Sequence, residues 1–272
     1  MQRIRQGKHE MTREELLALF DREQRREIEF PNIRREVTPD TVRHVVLAGK
    51  PGGAFLLHSR LDESNVDAVI ESEIAYFESL GLDFEWKAYD YDTPADLLAR
   101  LTARGFEVEE PEAVMVLDLE HASTALWQPI AQDVRRLTDP AQLVEIADLK
   151  EAIWGEKFDW LAKALAEEMA ADGERIQFYM AYADGVPACS AWIRFHPGTQ
   201  FASLWGGSTL PAYRGRGLYT AVLSVRAQEA RHRGYRFLTI DASPMSRPIV
   251  AKHGFQLLTF AHACNWHVKR SA

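Results

Sequence analysis

The chain has 272 residues and a formal net charge of −8, from 32 Lys plus Arg against 40 Asp plus Glu. With 46% apolar and 26% charged residues it reads as a folded chain rather than a disordered one, and at about 150 residues per domain its length suits two domains. The acidic balance argues against broad nucleic-acid binding, and no apolar run approaches the roughly 20 residues of a membrane helix.

The opening MQRIRQGKHE lacks the apolar core of a secretory signal, which predicts a cytoplasmic protein. His9-Glu10-Met11 lacks the second histidine of H-E-x-x-H and is not read as a zinc site. An amphipathic helix is predicted from 12 to about 29, opened by a capping box of Thr12 and Glu15. The run Arg22 to Glu27 is expected to be its solvated face. Strands are predicted at 55–58 and 84–89, a helix at 93–104, then Gly105-Phe106 and a strand at 113–119.

After a polar boundary at 120–132, a strand is predicted at 134–137, with helices at 141–154 and 158–171. A hairpin follows, 178–182 and 186–195, turning at Asp184-Gly185. A strand at 201–210 enters the loop 211–217, and a helix at 218–233 stops at Gly234. Then come a strand at 237–241, a helix at 248–253, Gly254-Phe255 and a strand at 262–268. The two Gly-Phe pairs lie 149 residues apart, and the strand at 55–58 shifted by that amount lands on 204–207. This predicts a duplicated fold with a mixed α/β sheet. Cys189 and Cys264, 75 residues apart, are expected to be reduced thiols and cannot build a cysteine zinc cage, so no metal is expected.

The chemistry-bearing stretch is Pro211-Ala-Tyr-Arg-Gly-Arg-Gly-Leu-Tyr219, between a strand and a helix. Gly215 and Gly217 permit torsions that leave backbone amides uncovered. Amides at a helix start form an anion site, to which Arg214 and Arg216 add positive charge. The expected ligand is a phosphate or pyrophosphate; the other reading is a structural turn. The loop is neither a nucleotide P-loop nor G-x-G-x-x-G.

Tyr213-Arg-Gly-Arg-Gly-Leu-Tyr219 resembles motif A of the GCN5-related N-acetyltransferases (GNAT), Q/R-x-x-G-x-G/A, with Arg214 and Gly217 in matching places and Tyr219 departing from it. The stretch Asp241 to Phe255 resembles motif B, with Ser243 where the family often has Asn. The resemblance covers about 132–272. It implies an acyl-CoA N-acyltransferase fold, here in tandem: a degenerate domain at 1–125 and an acetyl-CoA-binding domain at 126–272. It also implies acetyl-CoA as co-substrate, held by Gly207, Ser208, Thr209, Arg214, Gly215, Arg216, Gly217, Leu218, Tyr219 and Ser243. The N-terminal counterpart of the loop, Asp62-Glu-Ser-Asn-Val-Asp67, has three acids and neither glycine nor arginine, so only the second half is expected to bind CoA.

The implied reaction is direct transfer to an amine, with a strand amide near Gly207 to Thr209 polarising the carbonyl. Gly206 and Gly207 predict either a bulge or close packing. The strand at 201–210 lacks the family's usual Glu, and Val250 stands where many relatives place Tyr. Asp241 is a candidate base, anchor or cap, and Ser246 a candidate donor to sulfur or a helix N-cap. Trp154, Phe158 and Trp160 are expected in the core, with an aromatic acceptor pocket as the alternative. The expected function is acetylation of a small-molecule primary amine by a monomer or homodimer. The alternatives are a non-catalytic acyl-CoA-binding protein and a protein lysine or N-terminal acetyltransferase.

Overall fold

The computed structural model describes residues 11–46 and 53–268; His9 and Glu10 lie outside them. The first half runs α1 (Arg13–Phe20), β1 (Ile33–Val37), β2 (Thr41–Val46), β3 (Ala54–Ser59), α2 (Val66–Leu80), β4 (Phe84–Tyr89), α3 (Leu97–Ala103), β5 (Glu107–Val108) and β6 (Glu112–Asp118). The second runs β7 (Asp133–Leu137), α4 (Val144–Trp154), α5 (Asp159–Asp172), β8 (Ile176–Ala183), β9 (Val186–Phe195), β10 (Phe201–Thr209), α6 (Leu218–His232), β11 (Phe237–Ala242), α7 (Arg247–Ala251) and β12 (Gln256–Trp266).

These strands form one mixed sheet in the order β1-β2-β3-β4-β12-β6-β11-β10-β9-β8-β7, with β5 beside β12. The duplication is visible in the pairing. Each half has one parallel pair: β3 with β4 through Ala54–Leu56, and β10 with β11 through Phe201–Ser203. Each then exchanges its closing strand. β6 leaves the first half to pair with β11, β12 leaves the second to pair with β4, and the two meet at the centre. Neither half closes its own sheet, so removing one would leave a bare edge on the other.

Strand alternation sends Trp86, Ala88, Leu238 and Ile240 to one face, where they join the cores under α2 and α3 and under α6 and α7. The opposite face carries Lys87, Tyr89, Thr239 and Asp241. Phe20 of α1 packs there edge-on against Tyr89 at 6.1 Å and Phe201 at 6.2 Å, bridging the halves. The sheet curves around this face. Lys87 on β4 is ion-paired with Asp241 on β11 although β12 and β6 lie between them. Three spacings of about 4.8 Å would hold these strands about 14 Å apart in a flat sheet.

Several expectations need correction. The capping box of Thr12 and Glu15 is present, but α1 ends at Phe20 and the chain widens into a π-type turn over Asp21–Arg26. That turn is not a solvated face: Glu23, Gln24 and Arg25 are buried. Strands β1 and β2 carry no expectation from the sequence, and α3 starts only at Leu97. Among the described residues, no helix is long and apolar enough to cross a membrane.

Candidate functional site

In the second half, β10 and β11 stop pairing after Ser203 and Thr239. Beyond that point they diverge, and a groove of about 870 Å³ opens between them. The register of β10 against β9 shifts between Trp205 and Ser208. This places a bulge at Gly206-Gly207. Both glycines are sterically required. Gly206 has φ +65° and a Cβ there would lie 1.8 Å from the Trp192 ring, while a Cβ on Gly207 would lie 2.8 Å from the Tyr219 ring.

The groove ends at α6. Gly217 occupies the helix N-cap at φ +78°, and no side chain caps the helix. The unfilled amides and the positive end of the dipole therefore face the groove. Of the residues singled out in the sequence, Gly207, Ser208, Thr209, Arg214, Gly215, Gly217, Leu218, Tyr219, Ser243, Asp241 and Ser246 line this groove. Arg216 turns away, donating to Asp184 of the β8–β9 turn at 2.7 Å and stacking over Tyr213. Arg214 donates to the Thr209 carbonyl at 3.3 Å. Ser246 stands at the N-cap of α7 without capping it; its hydroxyl donates instead to the Ser243 carbonyl.

Sequence reading missed Lys150, on α4. Its ammonium lies 3.2 Å from the Ser208 hydroxyl and 4.7 Å from the Trp154 ring centroid, and burial pulls its pKa down. Trp154 and Trp160 are not core residues: they are 52% and 65% exposed, and Trp154 walls the groove. Helical spacing marks both as apolar but cannot show which face meets solvent.

A second cavity, of about 400 Å³, lies on the concave side between the halves. It meets the groove at Ser203, Trp205, Thr239 and Asp241, which line both. Burial alone would lower the Lys87 pKa, but the Asp241 carboxylate outweighs it and holds it above the usual lysine value. Burial pushes the Tyr89 pKa up to about 12 and drives that of His196 down to about 3. Neutral His196 lies 2.8 Å from the Ser203 hydroxyl, which also accepts from the Trp205 indole at 2.7 Å. The contact between halves, Lys87 with Asp241, has no local signature in the sequence.

The first half keeps the same framework but closes it. A register shift against β2 puts a bulge at Leu57, and β3 and β4 also diverge beyond their parallel pair. Arg25 spans that gap, donating to the Leu57 carbonyl at 2.7 Å and to both oxygens of Asp92 at 2.8 and 2.9 Å. At the start of α2, Asp62 accepts from the amides of Ser64 and Asn65 at 2.7 and 3.2 Å. α2, like α6, has no side-chain cap, but here the chain's own carboxylate takes the two amides that precede the helix.

A model of the acetyltransferase (GNAT) family matches residues 142–255, the span that contains all of the groove's lining residues but Glu112. No curated protein sequence matches the chain significantly. Several solved structures share the fold across nearly the whole chain. A GCN5-related N-acetyltransferase from Kribbella flavida is 13% identical, with a TM-score of 0.62 over 86% of this chain and 89% of that one. A tandem GNAT protein from the clavulanic acid biosynthesis pathway is 14% identical, with a TM-score of 0.59 over 90% of this chain and 86% of that one. A functionally unknown protein from Staphylococcus epidermidis is 10% identical, with a TM-score of 0.63 over 88% of this chain and 96% of that one.

Proposed function

On the premise that residues 142–255 form an acetyltransferase (GNAT) domain, we propose that the protein transfers an acetyl group from acetyl-CoA to a primary amine of a small molecule. The observation that carries this is the open groove ending on the uncapped start of α6. Its shape and polarity fit the co-substrate: an anion-binding helix end, then a bulged strand with exposed backbone. In this reading residues 126–272 bind acetyl-CoA and residues 1–125 complete the site.

Acetyl-CoA supplies a thioester, activated for acyl transfer. The amides around Gly215, Gly217, Leu218 and Tyr219 hold the pyrophosphate, helped by Arg214. Arg216, engaged with Asp184, contributes only long-range charge. Gly207, Ser208 and Thr209 line the pantetheine arm opposite Ser243, and the backbone at the bulge polarises the thioester carbonyl. Asp241 presents a carboxylate where groove and cavity meet, anchored by Lys87. It is placed to receive the amine and its proton. Ser246, near the groove mouth, is the candidate donor to the departing sulfur.

A second reading, acyl-CoA binding without transfer, is favoured by the absence of an acid on β10 and by the buried Val250 at the usual Tyr place. Release of free thiol from acetyl-CoA across a panel of primary amines decides between them. Amine-dependent release supports transfer; acetyl-CoA binding with no release above hydrolysis supports the second reading; no binding overturns both.

A further inference from the structure

We propose that the cavity between the halves is the acceptor site, and that it selects a cationic primary amine on an apolar, aromatic-sized body that carries no carboxylate. This rests on the acetyl-transfer reading and names its acceptor class.

The cavity is placed for the task. It shares Ser203, Trp205, Thr239 and Asp241 with the groove, so an amine bound in it faces the diverging strands from the side opposite α6. Its walls come from both halves. Phe20, Phe30 and Phe55 of the first half and Trp205 of the second make its apolar lining. Phe30 stands edge-on to Phe55 at 5.5 Å and to His196 at 6.0 Å, an aromatic wall suited to packing a ring or a short alkyl chain.

The charges set the sign of the ligand. Both cations lining the cavity are already spent: Lys87 is paired with Asp241, and Arg194 with Glu168 at 2.6 and 2.7 Å. Glu85 and Glu167 also line it, and neither has a hydrogen-bond or ion-pair partner among the described residues. Glu85 sits on β4 one residue pair from Lys87, on the same face. Burial, with Glu109 and Asp241 nearby, pushes its pKa up although Lys87 opposes this. A cation entering the cavity relieves the half-buried Glu85; a ligand carboxylate would meet Glu85 and Glu167 with no free cation to offset it.

The test uses 2-phenylethylamine and phenylalanine, which differ by one carboxylate. Binding of each is measured by calorimetry on the full chain, alone and saturated with coenzyme A, beside separate acetyl-CoA titrations. The expected result is that 2-phenylethylamine binds at least about tenfold more tightly than phenylalanine. Glu85→Gln should weaken amine binding about tenfold, through the lost charge, and leave acetyl-CoA affinity unchanged. Ala164→Trp, on the cavity wall, should block the amine and spare acetyl-CoA. Equal binding of both ligands, or no effect of either variant, overturns the proposal. So does acetyl-CoA binding with no 2-phenylethylamine binding at millimolar concentration. Failure of acetyl-CoA to bind while the amine still does overturns the transfer reading, and with it the acceptor role, and leaves the cavity as an amine-binding site only.

Discussion

The two halves present the same device, a bulged strand diverging from its parallel neighbour beneath a helix start, in opposite states. In the second half the bulge is glycine, the strands are open and, among the described residues, no carboxylate takes the amides that precede α6. In the first half the bulge is Leu57, Arg25 bridges the strands, and Asp62 takes the amides that precede α2. A binding site therefore needs more than its framework: the backbone polar groups that would hold the ligand must lack an internal partner. The difference also explains the acids in the first loop. Asp62 is an internal anion in the place of an external one, while Glu63 and Asp67 pair with Arg100.

The largest effect on stability is expected from breaking the closure of the first half. Arg25 is 1% exposed and Asp92 5% on their side chains. Arg25→Met should cost about 3–5 kcal/mol, because it strands a buried carboxylate, as read by urea denaturation. Acetyl-CoA stoichiometry should not rise, since Asp62 still occupies the start of α2.

The glycine bulge is the next lever. Gly206→Ala puts a methyl into the Trp192 ring at a left-handed torsion and should cost about 3 kcal/mol. Acetyl-CoA affinity should fall with it, because the bulge backbone lines the groove.

The halves also each bury a neutral histidine on the concave side. His44 stacks on Phe55 at 4.9 Å, bonds the Ile28 carbonyl through Nε2 and has no partner for Nδ1 among the described residues. Burial lowers its pKa from 6.5 to about 4. The unfolded chain therefore takes up a proton that the folded chain refuses. This contribution is fully present above about pH 6.5 and is lost as the pH falls towards 4, on the order of 3 kcal/mol. In thermal melts across that window, His44→Asn should flatten the slope.

The smallest effect should come from Asp62→Ala. The loop is exposed, so the loss of stability should be slight and acetyl-CoA affinity should not change. A strong change in affinity would mean that the first half binds the co-substrate.

What could be read from the sequence follows from what is local. The glycine loop, the turn at Asp184-Gly185 and the strands at 84–89 and 186–195 are encoded by neighbours in the chain, and the folded elements β4 and β9 have those bounds. The exchange of β6 and β12 leaves no such trace, because each strand reads alike whichever half it joins. Arg25 illustrates the limit. In Arg22 to Glu27 its charge suggests solvent, and only Asp92 and Leu57, distant in sequence, make its burial favourable. β1, with three charged residues in five, shows no apolar alternation to mark it as a strand. The cavity between the halves depends on curvature of the whole sheet.

On the proposed reading, one half alone binds acetyl-CoA. Calorimetric titration of the wild type and of Gly217→Glu tests it directly. The wild type should show one site per chain. The variant, which places a carboxylate at the open start of α6, should show none while keeping its circular dichroism. Two sites in the wild type, or a site that survives in the folded variant, would overturn that reading.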